Sequence, residues 1–151
     1  MKLANGNKKI LITGTDGFIG GHLKKYLQKQ GHIVYGTVFF DEPKDREKKL
    51  DVKSPEDFEN LWEESFEIVV HTVGVMDETA PKSLMRSVNV EGTKRVADWA
   101  ARHGCKHFIY LSSISVYGPI PVGTNRKENS WWKYKSVIQY GKTKGGAEKT
   151  V

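Results

Sequence analysis

Cysteine is almost absent. The lone Cys105 excludes an internal disulfide, and its place after Gly104 at the entry to an apolar run reads as a small buried thiol rather than a redox centre. No apolar stretch approaches the roughly 18 residues that a membrane span requires. The first residues, Met1 to Asn7, lack the apolar core of a signal peptide, so the default expectation is a cytoplasmic protein with no membrane partner. The five histidines, His22, His32, His71, His103 and His107, show no metal-ligand spacing, and no metal is expected. Internal repeats and low-complexity tracts are missing as well. What remains, 151 residues with 38% hydrophobic and 28% charged side chains, fits one globular domain.

Charge is plentiful and uneven. The formal charge is +6, and from position 120 to the end seven Lys or Arg face only Glu128 and Glu148. With no nucleic-acid motif in the chain, this basic end reads as a solvated surface or as a field for an anionic small molecule, and no nucleic-acid partner is expected.

Apolar runs alternate with helical patterns. Lys8 to Thr13 forms a short strand pattern ending in glycine, and Phe18 to Gln30 carries Ile19, Leu23, Tyr26 and Leu27 at helical spacing, closed by Gly31. His32 to Phe40 predicts a second strand, Asp41 to Lys49 a charged loop, and Leu50-Asp51-Val52 a short third strand. Ser54-Pro55-Glu56-Asp57 starts a helix with a hydroxyl cap, proline in the first turn and acids at the positive end of the dipole; Phe58, Leu61 and Trp62 face inward from it. Glu67 to Thr72 predicts strand four, Pro81 to Arg102 a long helix and Lys106 to Ser112 strand five. A last helix begins near Tyr134 to Tyr140. The expectation is an α/β, Rossmann-type doubly wound parallel sheet of order 3-2-1-4-5, with ligands at the carboxyl ends where the winding reverses.

Gly14, Gly17 and Gly20 fall between the first strand and the first helix. Gly14 permits a tight turn, Gly17 lets the backbone approach a pyrophosphate, and Gly20 lets helix pack on strand. Free amides at the helix start then face the phosphates, so the stretch through Asp16, Phe18 and Ile19 is expected to hold NAD or NADP. An acid for the adenosine ribose is expected near Val38, which is apolar. Asp41 and Glu42 come slightly late, and Lys44 and Arg46 are placed to meet a 2′-phosphate, so the choice of dinucleotide is open.

The G-x-x-G-x-x-G spacing resembles the extended short-chain dehydrogenase/reductase superfamily and its NAD-dependent epimerase/dehydratase family. Asp51-Val52 resembles the adenine-contacting pair, Thr72-Val73-Gly74 the loop after strand four, and Asn89-Val90-Glu91-Gly92-Thr93 the Asn-Val-x-Gly-Thr motif. Ser112-Ser113-Ile114-Ser115-Val116-Tyr117-Gly118 resembles the segment at the end of strand five in sugar-nucleotide epimerases. Tyr140 and Lys144, four apart, share one helix face.

The resemblance implies that Ser113 orients a sugar hydroxyl, that Tyr140 takes its proton, and that Lys144 lowers the phenol pKa and binds the nicotinamide ribose. It further implies hydride transfer between the sugar carbon and nicotinamide. Ile114-Ser115 stands where 4,6-dehydratases carry Asp-Glu, which disfavours dehydration. A keto-sugar or carbonyl reductase and a non-catalytic NAD(P) sensor are the alternatives. Trp131-Trp132 either stack on a ring or anchor a loop. Because members of the family continue into further strands and a substrate domain, residues 1–151 are expected to be the NAD(P)-binding part of a longer enzyme that acts on a nucleotide sugar as a homodimer.

Overall fold

The computed structural model describes residues 6–119, 125, 127–129 and 136–151; Trp131, Trp132 and Tyr134 lie outside them. Five strands, β1 (Lys9–Thr13), β2 (Ile33–Val38), β3 (Glu47–Lys49), β4 (Ile68–His71) and β5 (His107–Tyr110), form one sheet in the order β3-β2-β1-β4-β5, as expected. Every pairing is parallel. The register sets Thr37, Thr13, His71 and Tyr110 side by side at the carboxyl edge, from which the chain leaves towards Gly14, Thr72 and Leu111.

Burial on both faces explains the continuous apolar strands. Leu11 and Val69 look into a core with Phe58, Phe66, Val96 and Trp99. Ile10, Ile12, Val34 and Val70 pack on the other face against Leu23 and Leu27 of α1 (Phe18–Lys29). Cys105 is partly buried against the first of these cores, as a small apolar side chain.

The third strand differs from expectation. It is Glu47–Lys49, inside the stretch that reads as a loop, and Leu50-Asp51-Val52 follows it. The reason is that backbone pairing with Gly36–Val38 places the strand, while the apolar Leu50 and Val52 insert into the core just beyond it. A sheet edge tolerates the charged sequence, and Glu47 is held there by Lys24 at 2.6 Å and the Thr15 hydroxyl at 2.8 Å.

Helix α2 is a short segment, Pro55–Glu59, capped by Ser54 Oγ, which accepts from Asp57 N at 3.3 Å. Leu61 and Trp62 lie past its end, with Trp62 edge-on to Tyr35 at 5.2 Å. The long helix expected from Pro81 comprises α3 (Lys82–Arg86) and α4 (Thr93–Arg102), joined by a π-helical turn over Ser87–Gly92. After a 3-10 turn (Ile114–Tyr117) the last helix, α5, covers Gln139–Glu148.

Candidate cofactor cleft and catalytic helix

The glycine turn is built as its spacing implies. Gly14 has φ +78°, in the left-handed region, and its carbonyl accepts from Gly17 N at 3.1 Å. A β-carbon on Gly20 would run into that same carbonyl, so α1 reaches β1 only with glycine there. No side chain caps the start of α1 and no acid lies in its first turn. The first-turn amides, which helix geometry leaves without partners, therefore border a cleft of about 600 Å³. Phe18 and Ile19 stand 82% and 50% exposed at its lip, apolar surface that a bound ligand would cover. Amides, helix dipole and glycine cradle suit a dinucleotide pyrophosphate.

At one end of the cleft, β2 runs into Phe39 and Phe40, packed edge to face at 4.8 Å. Asp16 Oδ2 accepts from both of their backbone N–H groups, each at 2.7 Å. Asp51 and Val52 line the same end, with Asp51 paired to Lys53 at 3.3 Å. Arg46 does not reach this cleft: its guanidinium sits 6.0 Å from the Tyr35 ring centroid. Lys44 lines a shallower depression on the outer side of Asp16.

Thr72, Val73 and Gly74 form the cleft wall after β4, and Thr72 Oγ1 donates to Thr13 O at 2.6 Å, tying that wall to the glycine turn. Asn89 is placed behind the wall. Its Oδ1 accepts from Val75 N at 2.7 Å, and its Nδ2 donates to Val75 O at 2.8 Å and Thr143 Oγ1 at 3.0 Å. It thus joins the π turn to the loop and to α5. The π turn brings this buried amide to the loop, and Thr93 Oγ1 donates to Asn89 O at 2.7 Å.

That last bond fixes a histidine tautomer. Thr93 Oγ1 must accept from His71 Nε2–H at 3.0 Å, so Nδ1 is the ring acceptor, receiving the Thr13 hydroxyl at 2.6 Å. His71 is fully buried; burial first, and the Lys144 charge second, push its pKa down to about 3. The ring is neutral and structural.

Ser113, Tyr140 and Lys144 come together where β5 meets α5. Ser113 caps the 3-10 turn, its Oγ accepting from Ser115 N at 3.2 Å and donating to Ser115 Oγ at 3.1 Å, and it lies near the Tyr140 phenol. Lys144, 4% exposed, donates to Leu111 O at 2.6 Å and lies 5.8 Å from the Tyr140 ring centroid. Burial pushes its ammonium down to about 8. Tyr140 is shifted upward: burial outweighs the opposing effect of the nearby Ser113 hydroxyl. The lowered phenol pKa expected from the Lys144 pairing is not seen: the ammonium is directed at the Leu111 carbonyl instead.

Two carboxylates escaped the sequence reading. Glu78 accepts from Gln139 N at 3.1 Å and Tyr140 N at 2.7 Å, capping α5 from 61 residues away. No local pattern carries that pairing. Glu148 accepts the Ser112 hydroxyl, and its place four residues after Lys144 on the same helix face was the available signal. Among the described residues no three His, Cys, Asp or Glu side chains are grouped to hold a metal, and no helix is long and apolar enough to cross a membrane.

The family model described as NAD dependent epimerase/dehydratase family matches residues 10–151. A UDP-glucose 4-epimerase of Vibrio cholerae is 37% identical over 95% of this chain and 46% of its own length. A sterol-4-alpha-carboxylate 3-dehydrogenase of Candida albicans is 29% identical over 95% of the chain and 45% of its own length. Among solved structures, a short-chain dehydrogenase/reductase superfamily protein of Agrobacterium tumefaciens with bound NAD matches at TM-score 0.75 and 28% identity, over 93% of this chain and 43% of that one. MoeE5 in complex with UDP-glucuronic acid and NAD matches at 0.81 and 26%, over 96% and 48%. The chain spans about half the length of these relatives.

Proposed function

From the premise that this chain belongs to the NAD-dependent epimerase/dehydratase family, we propose that it forms the cofactor-binding and proton-transferring part of a nucleotide-sugar epimerase. The observation that carries this reading is the meeting of Ser113, Tyr140 and Lys144 beside the cleft that starts at the glycine turn. The turn amides hold the pyrophosphate, with Gly14, Gly17 and Gly20 keeping side chains out of its way. Asp51 and Val52 border the adenine end. Thr72, Val73 and Gly74 border the path to α5, and Asn89 holds that wall in place.

Bound there, the nicotinamide ring would supply a hydride acceptor and a positive charge. Ser113 Oγ orients the sugar hydroxyl and Tyr140 Oη takes its proton as general base. The upward shift of Tyr140 must be reversed for that step, and Lys144 does so by turning from Leu111 O towards the phenol and the nicotinamide ribose. Tyr140→Phe is expected to lower interconversion of UDP-glucose and UDP-galactose by about 100-fold or more, measured in steady state. Undiminished turnover rejects the mechanism. The similarity to a dehydrogenase favours one further reading, a net oxidoreductase. Stoichiometric change in NAD(P)H absorbance, in place of cofactor recycling, distinguishes it.

A further inference from the structure

We infer that Asp16 selects NAD over NADP in this cleft, taking the place of the acid that strand β2 lacks. The inference rests on the cofactor reading above. In dinucleotide-binding sheets, a carboxylate at the end of β2 accepts from the adenosine 2′-hydroxyl, or an arginine there meets a 2′-phosphate. Here β2 ends in Val38 followed by Phe39 and Phe40, and none of the three supplies an acid or a base.

The fold nevertheless brings a carboxylate to that spot, from inside the glycine turn. Both backbone N–H groups leaving β2 donate to one oxygen, Asp16 Oδ2, at 2.7 Å each. Two charge-assisted bonds to one atom fix the carboxylate's orientation. Its other oxygen, Oδ1, has no partner among the described residues, and Asp16 lines the cleft. A fixed acceptor with a vacant oxygen suits a ribose hydroxyl, whereas a 2′-phosphate brings about two negative charges against it.

The neighbouring cations do not offset that repulsion. Lys49 Nζ donates to Asp41 O at 2.8 Å and pairs with Glu42 at 3.6 Å. Lys53 is paired with Asp51 at 3.3 Å, and Lys24 with Glu47 at 2.6 Å. Lys25 and Lys44 lie in the depression outside Asp16, shared with Asp41 and Glu47. Arg46 is turned onto Tyr35.

Calorimetric titration of the 151-residue chain with NAD and with NADP tests the assignment. Wild type is expected to bind NAD at least about tenfold more tightly, and Asp16→Asn to bring the two within about threefold, mainly by gaining NADP affinity. Asp16→Asn keeps an oxygen for the Phe39 and Phe40 amides; Asp16→Ser, with thermal melts of both variants, separates lost selectivity from lost folding. Lys44→Ala is expected to leave the ratio unchanged. A wild-type preference for NADP, or a tenfold NAD preference that survives in both folded Asp16 variants, overturns the assignment while the cofactor reading stands. Wild type binding neither dinucleotide overturns the cofactor reading itself.

Discussion

At Lys144 folding and the proposed chemistry pull in opposite directions. An ammonium buried to 4% exposure, with the Leu111 carbonyl as its described acceptor, has its pKa lowered from 10.5 to about 8. The native state therefore binds fewer protons than the unfolded chain between those values. Stability rises with pH from 8 to 10.5, and the full burden of about 3 kcal/mol is carried below pH 8. Lys144→Met removes the buried charge and leaves one carbonyl unpaired. It is expected to raise the unfolding free energy at pH 7 by about 1–2 kcal/mol in urea titrations, while abolishing the proposed turnover.

His71 acts on the acid side. Its folded pKa of about 3 lies below the ordinary 6.5, so stability is complete above pH 6.5 and is lost as pH falls towards 3. The loss amounts to about 2 kcal/mol by pH 5, before the carboxylates titrate. Unfolding free energies measured at pH 7 and 5 give this slope, and His71→Gln flattens it.

At the scale of elements, α5 shows what a local reading misses. Tyr140 and Lys144 were legible as a pair because four residues make one helical turn. What holds their helix was not legible. Its start has no side-chain cap of its own, and Glu78 supplies one from the loop after β4. Glu78→Ala is expected to cost about 1 kcal/mol by urea denaturation, and Glu78→Gln less, since one acceptor survives. Gly141, next to Tyr140, lets α5 press against the 3-10 turn; a β-carbon there would collide with Ser115 O and Ser136 Oγ. β3 was misplaced for a related reason. Periodicity reports where side chains are buried, and at Glu47–Lys49 the strand is made by backbone pairing at an edge while burial begins at Leu50. The π turn at Asn89 was hidden too, because one extra residue per turn leaves an apolar helix pattern almost intact.

At the scale of the molecule the alternation of strands and helices pointed to a parallel sheet with right-handed crossovers, and the glycine turn after the first strand selected the order β3-β2-β1-β4-β5 from the few that such crossovers allow. The same winding opens the cleft between β1 and β4, so the fold and the cofactor site have one origin. This coupling predicts how the chain responds to ligand. The cleft belongs to the folded state alone, so a dinucleotide at 100 times its Kd adds about 2.7 kcal/mol to stability. For a chain of this length each kcal/mol raises the melting temperature by about 2–4 °C, giving a shift of about 5–10 °C with saturating NAD. UDP-glucose alone, which the proposed function leaves outside the glycine cleft, is expected to shift it by less than about 1 °C. Scanning calorimetry with each ligand separately checks both values. A large shift with UDP-glucose alone and none with NAD would move the nucleotide sugar into the glycine cleft and reverse the division of labour drawn here.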